Sequence, residues 1–341
     1  RSEKQQSHYF GRSMRVRYLI IRFSSIGDIV LTTPVLRGLK KEVENAEIHY
    51  LVKKSFYPVV QANPYIDKIL VFDDNLNQII RQIKQEQYHY IIDLHHNLRS
   101  FLVKNRTKML AFSFNKLNFE KWLMVQFKIN RLPEKHIVDR YLETVRLFDV
   151  KNDHQGLDYF IPEPDSHAID KLPKAFQKGY IALVVGAKHN TKKLPQKKLI
   201  SLTSKIEYPV VLLGGKEDIE NGREIEEKAT GEQFNACGQF SINESASLIR
   251  DSQLVITHDT GLMHIAAAFK KIVFSVWGNT IPEFGMYPYQ PGEGSGIFEV
   301  KNLPCRPCTK IGYNKCPKKH FKCMEEIDTT QIARKANQII S

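Results

Sequence analysis

Residues 257–268, THDTGLMHIAAA, hold side chains that could bind an anion. The apolar residues 254–256 predict a buried strand ahead of them, and the alanine-rich end predicts a helix behind. Asp259, Thr260 and Gly261 would therefore lie at a strand-to-helix turn. Because the first amides of a helix lack partners and lie at the positive end of its dipole, the turn predicts a phosphate site. Plain capping of the helix by Asp259 or Thr260 is the structural alternative.

A second turn of the same kind lies near the N-terminus. The strand pattern of residues 18–23 leads into SSIGD, and apolar residues recur at helical spacing from Ile29 onward. Asp28 is thus expected in a loop at the carboxyl end of a strand, the edge at which open α/β sheets bind ligands. The alternative is that Asp28 only caps the following helix. Pro34 suits the first turn of that helix, with a threonine before it as the cap.

Strand-like and helix-like segments alternate along both halves of the chain, which predicts parallel sheets built from βαβ units. The expected strands are 18–23, 47–52, 68–72, 89–95 and 108–113 in the first half, and 180–186, 210–214, 234–236, 254–257 and 272–277 in the second. Residues 151–174 carry three prolines and read as a linker. The two turns should therefore face one another across a cleft between two α/β domains.

The size and composition of the chain agree with two soluble, globular domains. It has 341 residues, of which 42% are hydrophobic and 26% charged. No run of 18 apolar residues predicts a membrane span, and residues 1–15 lack the apolar core of a secretory signal. We therefore expect a cytoplasmic location.

The net charge of +13 predicts an anionic partner, which could be nucleic acid, an acidic membrane surface or a phosphorylated substrate. The chain has no helix-turn-helix spacing, no RNP-type aromatic motif and no zinc-finger motif. These absences argue against nucleic acid. We expect no nucleic-acid partner.

The usual nucleotide-binding motifs are absent from the sequence. There is no G-x-G-x-x-G after either first strand, no P-loop and no Asp-x-Asp, and the glycine-rich residues 292–296 predict a loop. A diphosphate would then have to be held by backbone amides and basic side chains. Lys188, Lys192 and Lys193 follow a predicted strand and can reach the same cleft.

Six pieces of the sequence together resemble glycosyltransferase family 9, the ADP-heptose:lipopolysaccharide heptosyltransferases. They are IIRFSSIGDIVLTTPVLRGLK, DLHHNLRS, GAKHNTKKLP, LLGGKED, THDTGLMHIAAA and VWGNTIPEFGMYP, spread from residue 20 to residue 289. The resemblance implies a GT-B fold, with two Rossmann-like domains facing across a cleft. The acceptor-binding domain would span 14–160 and the nucleotide-sugar domain 175–328. A C-terminal helix, 329–341, would pack back on the first domain.

The resemblance also implies roles for single residues. Asp28 would be the general base that deprotonates the acceptor hydroxyl. The donor-binding residues would be Lys192, Glu217, Asp259, Thr260, Gly261, Leu262 and His264. Ser25, Gly27, His95, Asn97 and Arg99 are the candidate acceptor-binding residues. Because Leu194-Pro195 stands where the family often has Trp-Pro, the choice between Lys192 and Lys193 stays open.

The reaction implied is an inverting transfer of heptose from ADP-heptose to the lipopolysaccharide core or a lipid A precursor. No cofactor or catalytic metal is expected. The chain should act as a monomer, with the inner face of the cytoplasmic membrane as a peripheral contact. Two alternatives remain open. One is a GT-B transferase or epimerase that uses another nucleotide sugar, and the other is a non-catalytic basic protein that binds nucleic acid or acidic lipid.

Residues 116–128, KLNFEKWLMVQFK, mix bulky apolar and basic side chains. Such a segment suits an interface with lipid phosphates. An ordinary helix that faces the core and presents a basic outer face is the alternative.

Four cysteines are clustered near the C-terminus, in CRPCTKIGYNKCPKKHFKC. Cys305, Cys308, Cys316 and Cys323 predict a structural zinc site, in which His320 could replace one ligand. Two disulfides are the alternative.

Overall fold

Two parallel β-sheets organise the chain in the computed structural model, which describes residues 15–340. The predicted polar tail, up to residue 14, and Ser341 lie outside the described residues. The first sheet has the strand order β3-β2-β1-β4-β5 and the second has the order β11-β10-β9-β6-β7-β8. All strand pairs within them are parallel. The predicted GT-B arrangement of two Rossmann-like domains is confirmed.

The strands are short and mostly buried. Those of the first sheet are β1 Val16–Ile21, β2 Ala46–Lys53, β3 Lys68–Phe72, β4 Tyr90–Asp93 and β5 Leu110–Ser113. Those of the second are β6 Ile181–Val184, β7 Val210–Leu213, β8 Gln233–Asn235, β9 Leu254–His258, β10 Ile272–Trp277 and β11 Gly296–Glu299. β6, β7 and β9 are buried along their whole length, as expected of parallel strands covered by helices on both faces.

Helices connect these strands. In the first domain they are α1 Ile26–Val30, α2 Thr33–Glu42, α3 Leu76–Glu86, α4 Leu98–Thr107, α5 Asn118–Phe127 and α6 Ile137–Leu142. In the second they are α7 Gln196–Thr203, α8 Ile219–Lys228, α9 Ile242–Asp251, α10 Gly261–Ala268, α11 Lys322–Glu325 and α12 Thr329–Ile340. Thr32 is the N-cap of α2 and Pro34 lies in its first turn, as predicted.

Strand order decides where a ligand can bind. In each sheet the order reverses at one place, between β1 and β4 in the first and between β6 and β9 in the second. Such switch points open a crevice at the carboxyl ends of the strands. The β1–α1 turn and the β9–α10 turn each lie at one of these points, and both face the space between the domains.

The two domains share part of their core. One apolar cluster contains Val30 of the first domain, Tyr159 of the connecting segment, and Ala246 and Met263 of the second domain. The connecting segment, residues 151–174, is itself held by the buried side chain of Arg37. This arginine makes ion pairs with Asp153, at 2.7 Å, and with Asp158. The domains are therefore packed against one another, and this packing fixes the position of the β1–α1 turn relative to the β9–α10 turn.

Two expectations about the second domain need correction. Residues 292–296 were expected to be loop, but β11 begins at Gly296 and pairs with β10 at the sheet edge. The helix predicted at 329–341 is present as Thr329–Ile340 among the described residues, but the expectation that it packs on the first domain is wrong. Its residues Ile332, Ala333 and Ala336 are buried in the apolar cluster of the second domain, and Asn337 accepts from the amide of Glu207.

Among residues 15–340, no helix combines the length and the apolar character needed to cross a membrane.

Candidate active site

The space between the domains is a cleft of about 640 Å³. From the first domain it is lined by Arg22, Ser25, Gly27, Asp28, His95 and Lys121, among others. The second domain contributes Lys188, Lys192, Asp259, Thr260, Gly261, His264 and Lys310, with apolar walls from side chains such as Trp277 and Phe284. Both turns identified from the sequence therefore reach one cleft.

Asp28 lies in the first turn of α1, one turn beyond β1. The expectation that it lies in a loop is wrong, because the helix already begins at Ile26. Its carboxylate lies 2.6 Å from Nη2 of Arg22 and accepts from the Ser25 hydroxyl at 2.7 Å. Burial raises the pKa of Asp28, but the Arg22 guanidinium and the Ser25 donors outweigh burial and hold that pKa below its ordinary value. Asp28 is therefore an ionised, oriented carboxylate at neutral pH.

Arg22 is the residue that fixes this carboxylate, and sequence reasoning missed it. It follows β1 directly, and its buried side chain donates to the carbonyl oxygen of Ser24 at 2.7 Å and to the Tyr141 hydroxyl at 2.9 Å. It also donates to the carbonyl oxygen of Leu94. An arginine at the carboxyl end of the first strand, six residues before an aspartate, was the signal available in the sequence.

The two domains touch at a pair of glycines. A β-carbon on Gly27 would lie 2.5 Å from Cδ2 of His264, and one on Gly261 would lie 2.8 Å from Cβ of Ile26 and 3.1 Å from the Gly27 nitrogen. Only glycine allows the starts of α1 and α10 to approach so closely. Burial lowers the pKa of His264 to about 4, so its ring is neutral at pH 7.

The β9–α10 turn carries the second carboxylate of the cleft. Oδ2 of Asp259 lies 2.5 Å from Nζ of Lys192 and accepts from the Thr280 hydroxyl at 3.0 Å. Thr260 is the N-cap residue of α10 but makes no side-chain capping bond. The capping alternative is therefore not what the structure shows, and the first amides of α10 are available to a ligand.

The structure distinguishes Lys192 from Lys193. Lys192 lines the cleft, whereas Nζ of Lys193 lies 2.8 Å from the buried carboxylate of Asp218, away from it. Lys188, four residues before Lys192 in the same segment after β6, also lines the cleft.

Several predicted site residues lie outside the cleft. Glu217 is exposed just beyond β7, one strand further from the switch point, and Leu262 is half-buried on α10. Asn97 caps α4 by accepting from the Ser100 amide at 3.0 Å, and the guanidinium of Arg99 lies over the Phe72 ring. Their assignment to donor or acceptor binding stays a prediction.

His95 does reach the cleft. The buried carboxylate of Asp93 accepts from the His95 and His96 amides at 3.1 and 2.7 Å, which shapes the loop after β4. Burial lowers the pKa of His95 to about 4, so it offers a neutral ring to a ligand.

The cleft is positively charged. Its lining contains Arg22, Lys121, Lys188, Lys192 and Lys310, against the carboxylates Asp28 and Asp259. Burial, with Arg140 and Lys310 nearby, lowers the pKa of Lys121 to about 8. Neither Lys121 nor Lys310 was predicted as a site residue, because they come from α5 and the cysteine-rich segment. Such a surplus of cations suits a ligand that carries several negative charges.

The four C-terminal cysteines are free thiols in the structure. Cys308 donates to the carbonyl oxygen of Cys305, and Sγ of Cys305 lies 3.8 Å from Nε2 of His320. Within residues 15–340, no three histidine, cysteine or carboxylate side chains are placed together to hold a metal ion. The zinc site stays a prediction.

Comparison with known proteins finds relatives of the chain. The chain is similar to lipopolysaccharide heptosyltransferase 1 of Campylobacter coli, with 25% identity over 289 residues, 78% of this chain and 84% of the relative. It is also similar to lipooligosaccharide heptosyltransferase 2 of Haemophilus influenzae, with 25% identity over 291 residues, 78% of this chain and 84% of the relative.

Solved structures share the fold. A family 9 glycosyltransferase from Veillonella parvula superposes with a TM-score of 0.76 at 21% identity, covering 95% of this chain and 97% of that one. ADP-heptose heptosyltransferase II of Escherichia coli gives 0.72 at 18% identity, covering 95% and 98%. The family model described as glycosyltransferase family 9 (heptosyltransferase) matches residues 76–317. Because this match spans most of the chain, the protein belongs to glycosyltransferase family 9.

Proposed function

We propose that the protein is an inverting heptosyltransferase, which moves a heptose from ADP-heptose to the inner core of lipopolysaccharide. One observation carries the proposal. An ionised carboxylate, Asp28, and an uncapped helix start, at Thr260 and Gly261, face the same cleft from opposite domains. Transfer of a sugar from a diphosphate needs both a base for the attacking hydroxyl and a site for the departing anion.

Asp28 is the base in this proposal. Its carboxylate would accept the proton of the acceptor hydroxyl while Arg22 and Ser25 keep it in place. The ion pair lowers the pKa of Asp28 and thus its basicity, but it also keeps the carboxylate ionised at every pH at which the chain would work. One base and a single in-line displacement invert the anomeric carbon.

The donor diphosphate would bind at the start of α10. Backbone amides and the helix dipole favour an anion there, and Lys188 and Lys192 add positive charge. These groups would compensate the charge that grows on the leaving ADP, so we propose that transfer needs no metal ion. Asp259, already paired with Lys192, would keep that lysine positioned between turnovers.

The nucleoside and the acceptor would lie on opposite sides of the diphosphate site. Glu217, exposed just beyond β7, would bind the ribose of an adenosine that runs outward from the cleft along the strand ends. The acceptor would enter from the side of His95, Lys121 and Lys310, where neutral and cationic donors face the cleft.

Because the cleft is complete within one chain, we propose a monomer. We place it in the cytoplasm, at the inner face of the membrane.

A ligand screen followed by a transfer assay tests the proposal. ADP should raise the melting temperature more than UDP, GDP or NAD, since a ligand at a hundredfold excess over its Kd adds about 2.7 kcal/mol of stability. Incubation with ADP-heptose and a heptose-deficient core acceptor should then give a product with inverted anomeric configuration by NMR. A preference for UDP would contradict the heptose donor and leave the fold untouched, while a retained configuration would contradict the single-base mechanism.

A further inference from the structure

Helix α5 differs from the other helices that flank the first sheet, because none of its ten residues is buried. Three of its side chains are aromatic and exposed: Phe119 by 61%, Trp122 by 49% and Phe127 by 59%. The rings pack on one another, with centroids 6.0 Å apart for Phe119 and Trp122 and 5.4 Å apart for Trp122 and Phe127. The alternative for residues 116–128, an ordinary helix that faces the core, is therefore not what the structure shows.

The aromatic surface continues into the second domain. Nζ of Lys310 donates to Oδ1 of Asn118 at 3.2 Å, and Nζ of Lys128 donates to the carbonyl oxygen of Pro307 at 2.7 Å. These bonds join α5 to the segment that carries the exposed side chains Ile311 and Tyr313. We call the set formed by Phe119, Trp122, Phe127, Ile129, Ile311 and Tyr313 the aromatic rim.

Positive charge surrounds the aromatic rim. Residues 115–132 contain four basic side chains and one acidic side chain, and residues 305–323 contain six basic side chains and none that is acidic. Among the described residues, Lys116, Lys121 and Lys310 have no carboxylate within ion-pair distance, although Arg306 pairs with Glu299. Bulky apolar side chains ringed by lysines match the interface of an anionic bilayer, where acyl chains lie below acidic headgroups.

We infer that the aromatic rim docks on an anionic lipid bilayer, with its rings in the interfacial layer and its lysines at the headgroups. A second copy of the chain fits this surface poorly, because pairing two rims would bring two strongly basic segments together. Ile311 of the rim and the flanking Lys121 and Lys310 also line the cleft, so docking turns the mouth of the cleft toward the membrane. A lipid-linked acceptor could then enter without leaving the bilayer, a consequence that rests on the proposed function.

Vesicle binding tests the inference without donor or acceptor, so its failure is distinguishable from failure of the proposed function. The full chain should sediment with vesicles of phosphatidylethanolamine and phosphatidylglycerol, and this binding should weaken with salt and with phosphatidylcholine alone. The combined change Phe119→Ser, Trp122→Ser and Phe127→Ser should lower partitioning on the order of tenfold or more. Leu147→Ser, at a side chain that is 76% exposed and lies outside the rim, is the matched control.

Tryptophan emission gives a second readout. The chain has two tryptophans, Trp122 and the buried Trp277, so Trp277→Phe leaves Trp122 as a single reporter. Its emission should shift to the blue when anionic vesicles are added. Equal partitioning of the triple variant and the wild type, or unchanged Trp122 emission, would overturn the inference. Concentration-dependent dimerisation that the triple variant abolishes would overturn it too, in favour of a second copy.

An acceptor comparison links the surface to turnover. The triple variant should keep its kcat/KM on a deacylated, water-soluble acceptor and lose it only on an acceptor embedded in anionic vesicles. An equal loss on both acceptors would contradict docking and indicate damage to the cleft.

Discussion

The two turns that meet in the cleft both join a strand to a helix and carry an aspartate and a glycine, but they bind their carboxylates differently. In the β1–α1 turn the carboxylate of Asp28 lies inside the helix, is bound by an arginine of its own strand and accepts from Ser25. In the β9–α10 turn Asp259 precedes the helix and pairs with Lys192 from a neighbouring strand end. The first arrangement occupies its donors and presents a fixed negative charge. The second leaves the helix amides free, which suits an incoming anion.

The largest expected effect on activity comes from substituting Asp28, and it distinguishes this carboxylate from that of Asp259. Asp28→Asn keeps the shape of the side chain and removes the base, so kcat should fall on the order of 10²–10⁴-fold while the affinity for ADP stays unchanged. Asp259→Asn is the matched change at the other turn, and it should act mainly on the KM for the donor. Steady-state kinetics with both variants check this, and near-normal kcat for Asp28→Asn would return Asp28 to a capping role.

The contact between the turns can be broken directly. Gly261→Ala would place a methyl group 2.8 Å from Cβ of Ile26 and 3.1 Å from the Gly27 nitrogen, so the two helix starts must move apart. Displacing catalytic groups by about 1 Å can cost on the order of 10²-fold in kcat/KM. Gly296→Ala, whose nearest neighbour would be a ring carbon of Phe298 at 3.3 Å, far from the cleft, is the control and should retain activity. Equal activity of the two variants would show that close approach is not required.

Substitutions at the two adjacent lysines, Lys192 and Lys193, test which of them binds the donor. Lys192→Gln removes a charge from the cleft and should raise the KM for the donor about ten- to a hundredfold, the range for a charge-assisted hydrogen bond. Lys193→Gln leaves the buried carboxylate of Asp218 without its ion pair and should lower the melting temperature instead, with the donor KM unchanged. The reverse pattern would exchange the roles of the two lysines.

The ion pair of the first turn predicts a change in pH dependence. In the wild type, activity should fall only as the pH drops through the Asp28 pKa, which lies below the ordinary value of about 3.9. Arg22→Gln removes the cation that opposes burial, so the acid limb of the kcat/KM profile should move to higher pH. Tyr141→Phe removes a neutral partner of Arg22 and should leave the limb in place. An unmoved limb in Arg22→Gln would mean that Asp28 is not the titrating base.

The smallest expected effect is that of metal removal. Because basic side chains and a helix start supply the positive charge at the anion site, transfer should continue at its normal rate in EDTA. Metal analysis of the purified chain should come first, since about one zinc per chain would support the predicted four-cysteine site. A complete loss of activity that Mg²⁺ restores would contradict the metal-independent mechanism.

Local patterns in the sequence predicted the elements and the two turns, but not the contacts between distant segments. The strand at 272–277 has the predicted bounds because it is a nearly continuous apolar run, and the helix at 329–340 follows the predicted segment because its buried residues recur at helical spacing. Asp28 and Asp259 could be placed at strand ends for the same reason. Lys121 and Lys310 could not, because their places follow from how α5 and the cysteine-rich segment cross the cleft. The sequence also did not show that Asn97 caps α4, because a capping bond depends on the side-chain conformation.

The contact of Gly27 with Gly261 has a consequence for redesign of the cleft. Where the two glycines meet, the main chain limits how closely the domains approach, whereas side chains such as Phe284 and Met286 line the walls of the cleft. A library that varies the two glycines is expected to return chains whose domains no longer close. One that varies the walls keeps the closed geometry intact, and it is there that a preference for a different sugar should be sought.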